Sequence, residues 1–295
     1  MPADSTTVDP THAPSRRMWQ LIEPVHAITY FAPACRDAMA EAGMKGFWMG
    51  YFAARSAPMG TASATLVEAT FYNFAPSLVR RALPNAWERS TPDAIIDARA
   101  AAAAIALRQI DPEVDEHARR AVPMLESAAA AARCDGRVLA SANQSLPPRT
   151  DPVERLWQAA TTLREHRGDG HVAALVAFDL SGIESLVLAS AINPAAATAE
   201  HLRQARGWTE AEWDEAIDRL GGRGLLDDNG SPTEAAHILH AQVEAATDEI
   251  AWQPYQEGLT ETGLDLLRTV LRPVATIAAR SGMIPYPNPI GLPAL

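Results

Sequence analysis

Helix-start signals recur along the whole chain, while the alternation of β-branched residues that builds strands is nearly absent, so a sheet has almost nothing to form from. The clearest signals set a small polar side chain just before proline: Thr91-Pro92-Asp93, Asp111-Pro112-Glu113, Asp151-Pro152 with Glu154, and Asn193-Pro194. Each polar side chain can accept a hydrogen bond from an orphan backbone N–H, and proline gives up nothing at the first helical position. The expected fold class is all-α, a multi-helix body with a winged-helix-like unit toward the C-terminus.

The pattern predicts helices over 16–31, 34–42, 45–57, 64–74, 76–87, 92–110, 112–133, 152–166, 171–179, 182–192, 194–206, 210–221, 233–250 and 261–281, with a break at Pro24 and a kink at Pro123. Residues 1–15 are acidic and turn-forming and read as a tail. At 295 residues the chain exceeds what one hydrophobic core usually fills. Residues 134–150, with Gly, Asn, Ser and the Pro147-Pro148 pair, read as a linker loop between an aromatic-rich helical domain (16–133) and a second helical domain (151–281). The proline-rich stretch 282–295 reads as an extended strap.

Within 171–250 the order is short helices, a hairpin and a long helix, which is the order of a winged helix. Thr209 and Glu212 form a capping box at the start of the helix that would enter a DNA groove. Asn229-Gly230 supplies the tight turn of a wing. A DNA reader needs Arg, Lys, Asn or Gln on that helix, yet it carries Glu210, Glu212, Asp214, Glu215 and Asp218 against Arg219. Residues 172–249 hold four arginines, no lysine and fourteen acidic residues, in a chain whose formal charge is −11. Nucleic acid is therefore not expected as a partner. The unit is expected to serve packing or dimerisation, with Trp208 and Trp213 as an exposed pair at a protein contact and a homodimer as the assembly.

No signal-peptide core and no apolar run of membrane length occurs, so the chain is expected to be cytoplasmic with no membrane partner. Cys35 and Cys134 read as two reduced thiols.

Of the 18 aromatic residues, 11 precede residue 88, together with Met18, Met39, Met44, Met49 and Met59. Rings and thioethers wall adaptable pockets and also fill ordinary cores, and both readings stand. Polar groups inside this apolar field favour a pocket, because buried polar atoms need partners. His26 and Tyr30 share one helical face, and Glu68, Tyr72 and Asn73 sit among apolar neighbours. The stretch Arg167-Gly168-Asp169-Gly170-His171 reads as a tight interhelix turn, with Asp169 capping the next helix and His171 in its first turn. The expected site is one pocket where this turn meets the aromatic body. His26, Glu68, Asp169 and His171 are its acid-base candidates. Tyr30, Trp48, Tyr51, Tyr72, Asn73 and Arg167 are its ligand-binding candidates.

His26 and His171 are also the candidates for a haem or metal alternative, set against the plainer reading of satisfied core histidines. His237 and His240, with Glu234 and Glu244, are expected to face solvent, since Ala235, Leu239, Val243, Ala246 and Ile250 define that helix's buried stripe. No P-loop, dinucleotide fingerprint, HExxH or nucleophile elbow is present, so no cofactor or reaction is named.

The blocks EPVHAITYFAP (23–33), GFWMGYFAARSAPMG (46–60), ATFYNFAP (69–76) and LWQAATTLREHRGDGHVAALV (156–176) resemble an actinobacterial helix-turn-helix family, the SalK-like proteins, over about residues 22–271. The resemblance implies a fold and a source, and carries no catalytic residue over. The leading expectation is a protein that binds a small apolar or aromatic molecule, as a sensor or as an enzyme of specialised metabolism. A ligand-responsive transcription regulator is the alternative.

Overall fold

The computed structural model describes residues 13–293 and is all-α: among them are fourteen α-helices and one isolated antiparallel bridge, Leu226 to Pro232. The helices are α1 (Pro14–Phe31), α2 (Pro33–Glu41), α3 (Gly46–Ser56), α4 (Ala64–Phe71), α5 (Pro76–Ala82), α6 (Pro92–Ile110), α7 (Val114–Ala131), α8 (Val138–Gln144), α9 (Pro152–Ala177), α10 (Gly182–Ile192), α11 (Ala199–Arg206), α12 (Glu210–Gly222), α13 (Glu234–Gly258) and α14 (Glu261–Arg280). The expected tail lies outside the described residues up to position 12. No single helix among those described is long and apolar enough to cross a membrane.

The caps read from sequence hold at Thr91, which accepts from the Ala94 N–H, and at Asp151, which accepts from Val153 and Glu154. Elsewhere they move. Asp111 accepts from the Glu113 N–H in a turn ahead of α7, and the segment after Asn193 stays non-helical until Thr198 caps α11.

The main core runs from Met18 on α1 to Ala275 on α14 and takes in α6, α7, α9 and Tyr255 of α13. The small side chains of α6 and α7 let these helices pack closely. Helix α9 is the axis of the body, touching α1, α6, α7, α8 and α13.

Three expected features of secondary structure are overturned. Helix α1 runs unbroken across Pro24; α7, as expected, is one helix with Pro123 inside it. Each proline removes one backbone bond, at about 3 kcal/mol. The apolar face that includes Met18, Leu21, Ile22, Val25 and Ile28 is buried along α1, and offsets that cost. The expected linker contains α8, which packs on α9. Finally, the Gly168-Asp169-Gly170 turn does not exist: α9 is helical straight through it.

The reason for glycine there is a close helix crossing. A Cβ on Gly170 would stand 2.5 Å from Cγ2 of Ile250 on α13. Asp169 does cap a helix, but a different one. Its Oδ2 accepts from the Ala140 N–H at 2.9 Å, in the first turn of α8, whose own N-cap residue Arg137 makes no side-chain cap.

The winged unit comprises α10 to α13 around a second apolar cluster, which includes Ile183, Leu186, Leu202, Trp213, Leu220 and Leu225. Its capping box at Thr209 and Glu212 forms as expected, and a second box at Ser181 and Glu184 opens α10. The wing is a single bridge whose turn is held by the Asp227 carboxylate, accepting from the Asn229 and Ser231 N–H groups. Trp208 and Trp213 are not an exposed pair. Trp213 is buried in the cluster, and half-buried Trp208 donates from Nε1 to the Asn73 carbonyl at 3.0 Å. Helix α13 continues to Gly258 and carries Thr247, Ala251 and Tyr255 into the body.

Candidate functional site

Two cavities of similar size divide the residues singled out from sequence. The first, of about 260 Å³, lies among α1, α2, α3, α6 and α9. Rings and thioethers form much of its wall: Tyr30, Phe47, Tyr51, Trp157, Met39 and Met44. Behind them the rings of Trp48, Tyr51, Phe52, Phe71 and Phe74 pack with centroids 5.2 to 6.3 Å apart. The aromatic third of the chain is thus both core and cavity wall.

His26 and Tyr30, four apart on α1, face the cavity together. His26 Nε2 and the Tyr30 hydroxyl are 2.8 Å apart, and His26 Nδ1 lies 2.9 Å from Oγ1 of Thr161 on α9. The imidazole stacks on Trp157, with centroids 6.2 Å apart. Burial, aided by the nearby positive charge of Arg164, pushes the His26 pKa well below its ordinary value, so it is neutral near pH 7. Burial likewise raises the Tyr30 hydroxyl and pushes the Cys35 thiol up to about 12, so neither supplies an anion.

The charges on this wall were not anticipated. Arg55 of α3 grips Glu165 of α9 with two parallel bonds, Nε to Oε1 and Nη2 to Oε2, both 2.8 Å. Arg164 also donates to Glu165, at 3.0 Å, and lies 3.4 Å from Glu23. Burial opposes the charge of Glu165, but Arg55 and Arg164 overcome it and hold the carboxyl far below the usual range. Arg99 of α6 is 4% exposed and donates only to neutral oxygens, those of Ala54 at 2.7 Å, Asn143 at 2.8 Å and Gln158 at 3.4 Å. Burial lowers its pKa to about 10.

A helical phase signal for these residues exists. Ile95, Arg99, Ala103 and Leu107 recur on the buried stripe of α6, and Trp157, Thr161, Glu165 and Asp169 are spaced by four on α9. That spacing does not by itself single out the charged members, because a lone arginine or glutamate in a helix normally faces solvent.

The second cavity, about 240 Å³, lies between the winged unit, α9 and the C-terminal strap. His171, Asn73, Asn193, His240, Glu244 and Asn288 supply its polar atoms. The Thr247 hydroxyl donates to the Val243 carbonyl at 2.7 Å, so it must accept from His171 Nδ1 at 2.9 Å. That fixes the tautomer and leaves Nε2 as an acceptor. Burial lowers the His171 pKa to about 4. His240 and Glu244 are half-buried on this wall rather than facing solvent, because the buried side of α13 is set by Ala236, Val243 and Thr247. Glu244 pairs with Arg16.

One pocket holding both His26 and His171 is therefore not what forms. His26 bonds Thr161, ten residues before His171 on the same continuous helix, a rise of about 15 Å. Tyr30 and Tyr51 line the first cavity, and Asn73 the second. Trp48 packs in the ring cluster. Glu68 pairs with exposed Arg80, and the Tyr72 hydroxyl donates to the Leu180 carbonyl at 2.6 Å. Arg167 lies over the Trp19 ring and near Asp248. Asp169 caps α8, and burial raises its pKa to about 6. Among the described residues no three His, Cys, Asp or Glu side chains gather as a metal ion held by side chains alone requires, so neither His26 nor His171 belongs to such a cluster.

An all-helical body with a winged unit folded onto its axis has the architecture of a helix-turn-helix protein. The chain belongs to such a family: the model described as the Helix-turn-helix family matches residues 15–285, spanning the body, the winged unit and the start of the strap. No curated protein and no solved structure gives a significant match.

Proposed function

We propose that this protein binds a small, flat, largely apolar molecule in the cavity between α1, α2, α3, α6 and α9. The observation that carries the reading is the wall itself, in which aromatic rings and methionines enclose about 260 Å³ around a few convergent polar groups. An apolar cavity of roughly 150 Å³ already holds benzene, so a fused bicyclic compound is a suitable size. His26 and Tyr30 are the groups placed to exchange a proton with such a molecule, and turnover, if the protein is an enzyme of specialised metabolism, runs through them. Within this reading it works in the cytoplasm as a homodimer, and belongs with the actinobacterial SalK-like proteins that its sequence blocks resemble.

Family membership favours a second reading, a ligand-responsive regulator. The exposed face of α12 argues against it, since Glu210, Asp214, Glu215 and Asp218 point outward there. Two measurements decide. A thermal-shift screen of aromatic compounds should find ligands that raise Tm in the parent and lose affinity by at least about tenfold in Tyr51→Ala. Titration of promoter fragments at physiological salt should give no saturable shift at micromolar protein. Tight, sequence-specific binding there puts the regulator first.

A further inference from the structure

The geometry points to a monoanionic ligand for this cavity, an aromatic carboxylate whose charge is met by Arg99. The inference rests on the binding proposed above and adds the charge of the occupant.

The argument begins with what each buried charge is paired to. Glu165 is shared by Arg55 and Arg164, and Glu23 is reached by Arg164. Of Arg55, Arg164 and Arg99, only Arg99 has no carboxylate partner among the described residues. Arg206, buried near Arg55 and Arg164, likewise has none among them, but it donates to the Pro289 carbonyl and does not line the cavity. Its Nη1 and Nη2 are held by the Ala54 carbonyl and the Asn143 side-chain oxygen, while its Nε is buried with no hydrogen-bond partner at all. Its flat group lies over the Trp157 ring, 5.3 Å from the centroid, and both residues line the cavity. At the same wall Arg36 and Asp37 are both exposed and of opposite sign. A buried cation without a counter-charge of its own is costly. Glu165 on the same wall is already shared by Arg55 and Arg164, and an entering carboxylate would supply that counter-charge.

A carboxylate suits this wall better than a phosphate, because a dianion would bring a second charge and its hydration into an apolar enclosure. The body of the ligand follows from the rings. Trp157 and Tyr51 offer faces for a flat system, and Met39 and Met44 adjust to its edge. Such an acid would sit with its carboxylate at Arg99 and its far edge toward Phe47 and Met44.

The test compares β-naphthoate with its neutral near-isostere β-naphthamide, by calorimetry near neutral pH, on the full chain. The parent should bind the acid at least about tenfold more tightly than the amide, since hydrogen bonds to a charged group are stronger than those to a neutral one. Arg99→Gln should bring the two affinities within about threefold by weakening the acid alone. Because that variant can lose its fold, Gln158→Glu provides a second route. Gln158 Oε1 lies 3.4 Å from Arg99 Nη2, so a half-buried carboxylate there neutralises Arg99 in place. It too should abolish the preference while amide binding stays. Amide binding in the parent without preference for the acid overturns the charge inference and leaves the binding reading standing. A preference that survives in a folded Arg99→Gln or in Gln158→Glu also overturns it. If neither probe binds the parent at about 1 mM, both readings fall together.

Discussion

Two glutamates show how differently the same side chain is used. Glu165 is 1% exposed and sits between Arg55 and Arg164, which are 13% and 16% exposed. Removing its charge leaves Arg55 with no carboxylate and Arg164 with Glu23 alone, so Glu165→Gln should destabilise the protein by about 3–5 kcal/mol. Glu68 is 13% exposed, but its partner Arg80 is 64% exposed, so water reaches one side of the ion pair. Glu68→Gln should cost less than about 1 kcal/mol. Urea unfolding of both variants checks the pair, and equal losses would show that Glu165 does not organise the cavity wall. Only Glu68 is prominent in the sequence. Glu68 stood out among apolar neighbours, whereas Glu165 lies in a run of charges, and only the phase of α9 turns it inward.

At the scale of elements, glycines decide how closely helices approach. Gly182 opens α10 against the end of α4, where Tyr72 has the left-handed φ of 56°. A Cβ on Gly182 would lie 2.1 Å from the Tyr72 carbonyl oxygen, a backbone atom that cannot swing away. Gly182→Ala should therefore lower Tm by roughly 3–10 °C, the size of an overpacking strain in a chain this long. Gly221 on α12 is the internal control, since a Cβ there meets nothing within 4 Å. Gly221→Ala should leave Tm unchanged or raise it slightly, because alanine is the better helix former. A scanning calorimeter separates the two, and similar Tm values would remove the close approach of α10 to Tyr72 as a constraint.

For the whole molecule, the buried titrating groups set how stability follows pH. Burial holds His166 and His171 at about 4 and His26 well below its ordinary value, while each takes up a proton near 6.5 when unfolded. Between about pH 6.5 and 4 the unfolded chain therefore binds more protons, and stability falls as pH falls. Asp169 works in the opposite sense. Its folded pKa, raised by burial to about 6, means that the native state binds the extra proton between about 6 and 4. Three histidines outweigh one aspartate, and Glu165 and Glu244, held low by arginines, add further loss below about pH 4. Tm should decline steadily from pH 7 to 4.5, and His171→Gln should flatten part of that slope. A flat or rising Tm over this interval would show that these histidines are not kept neutral by the fold.

Local rules determined much of this protein. The all-α class, the caps at Thr91, Asp151, Thr209 and Thr233, the turn at Asn229-Gly230 and the acidic face of α12 depend on neighbours within a few residues, and sequence spacing contains all of that information. His26 and Tyr30 were legible as a pair for the same reason, being one helical turn apart. What long-range packing decided is everything in which a local preference was overruled. Pro24 stays inside α1, Gly168 and Gly170 stay inside α9, and Asp169 caps a helix thirty residues upstream, because burial and close crossing outweigh single-residue propensities of about 1–3 kcal/mol. The separation of His26 from His171, and the gathering of Arg55, Arg99 and Glu165 around one cavity, arise from contacts between residues 44 to 135 positions apart. No spacing along the chain encodes such contacts; they exist only once α9 has been threaded through the body.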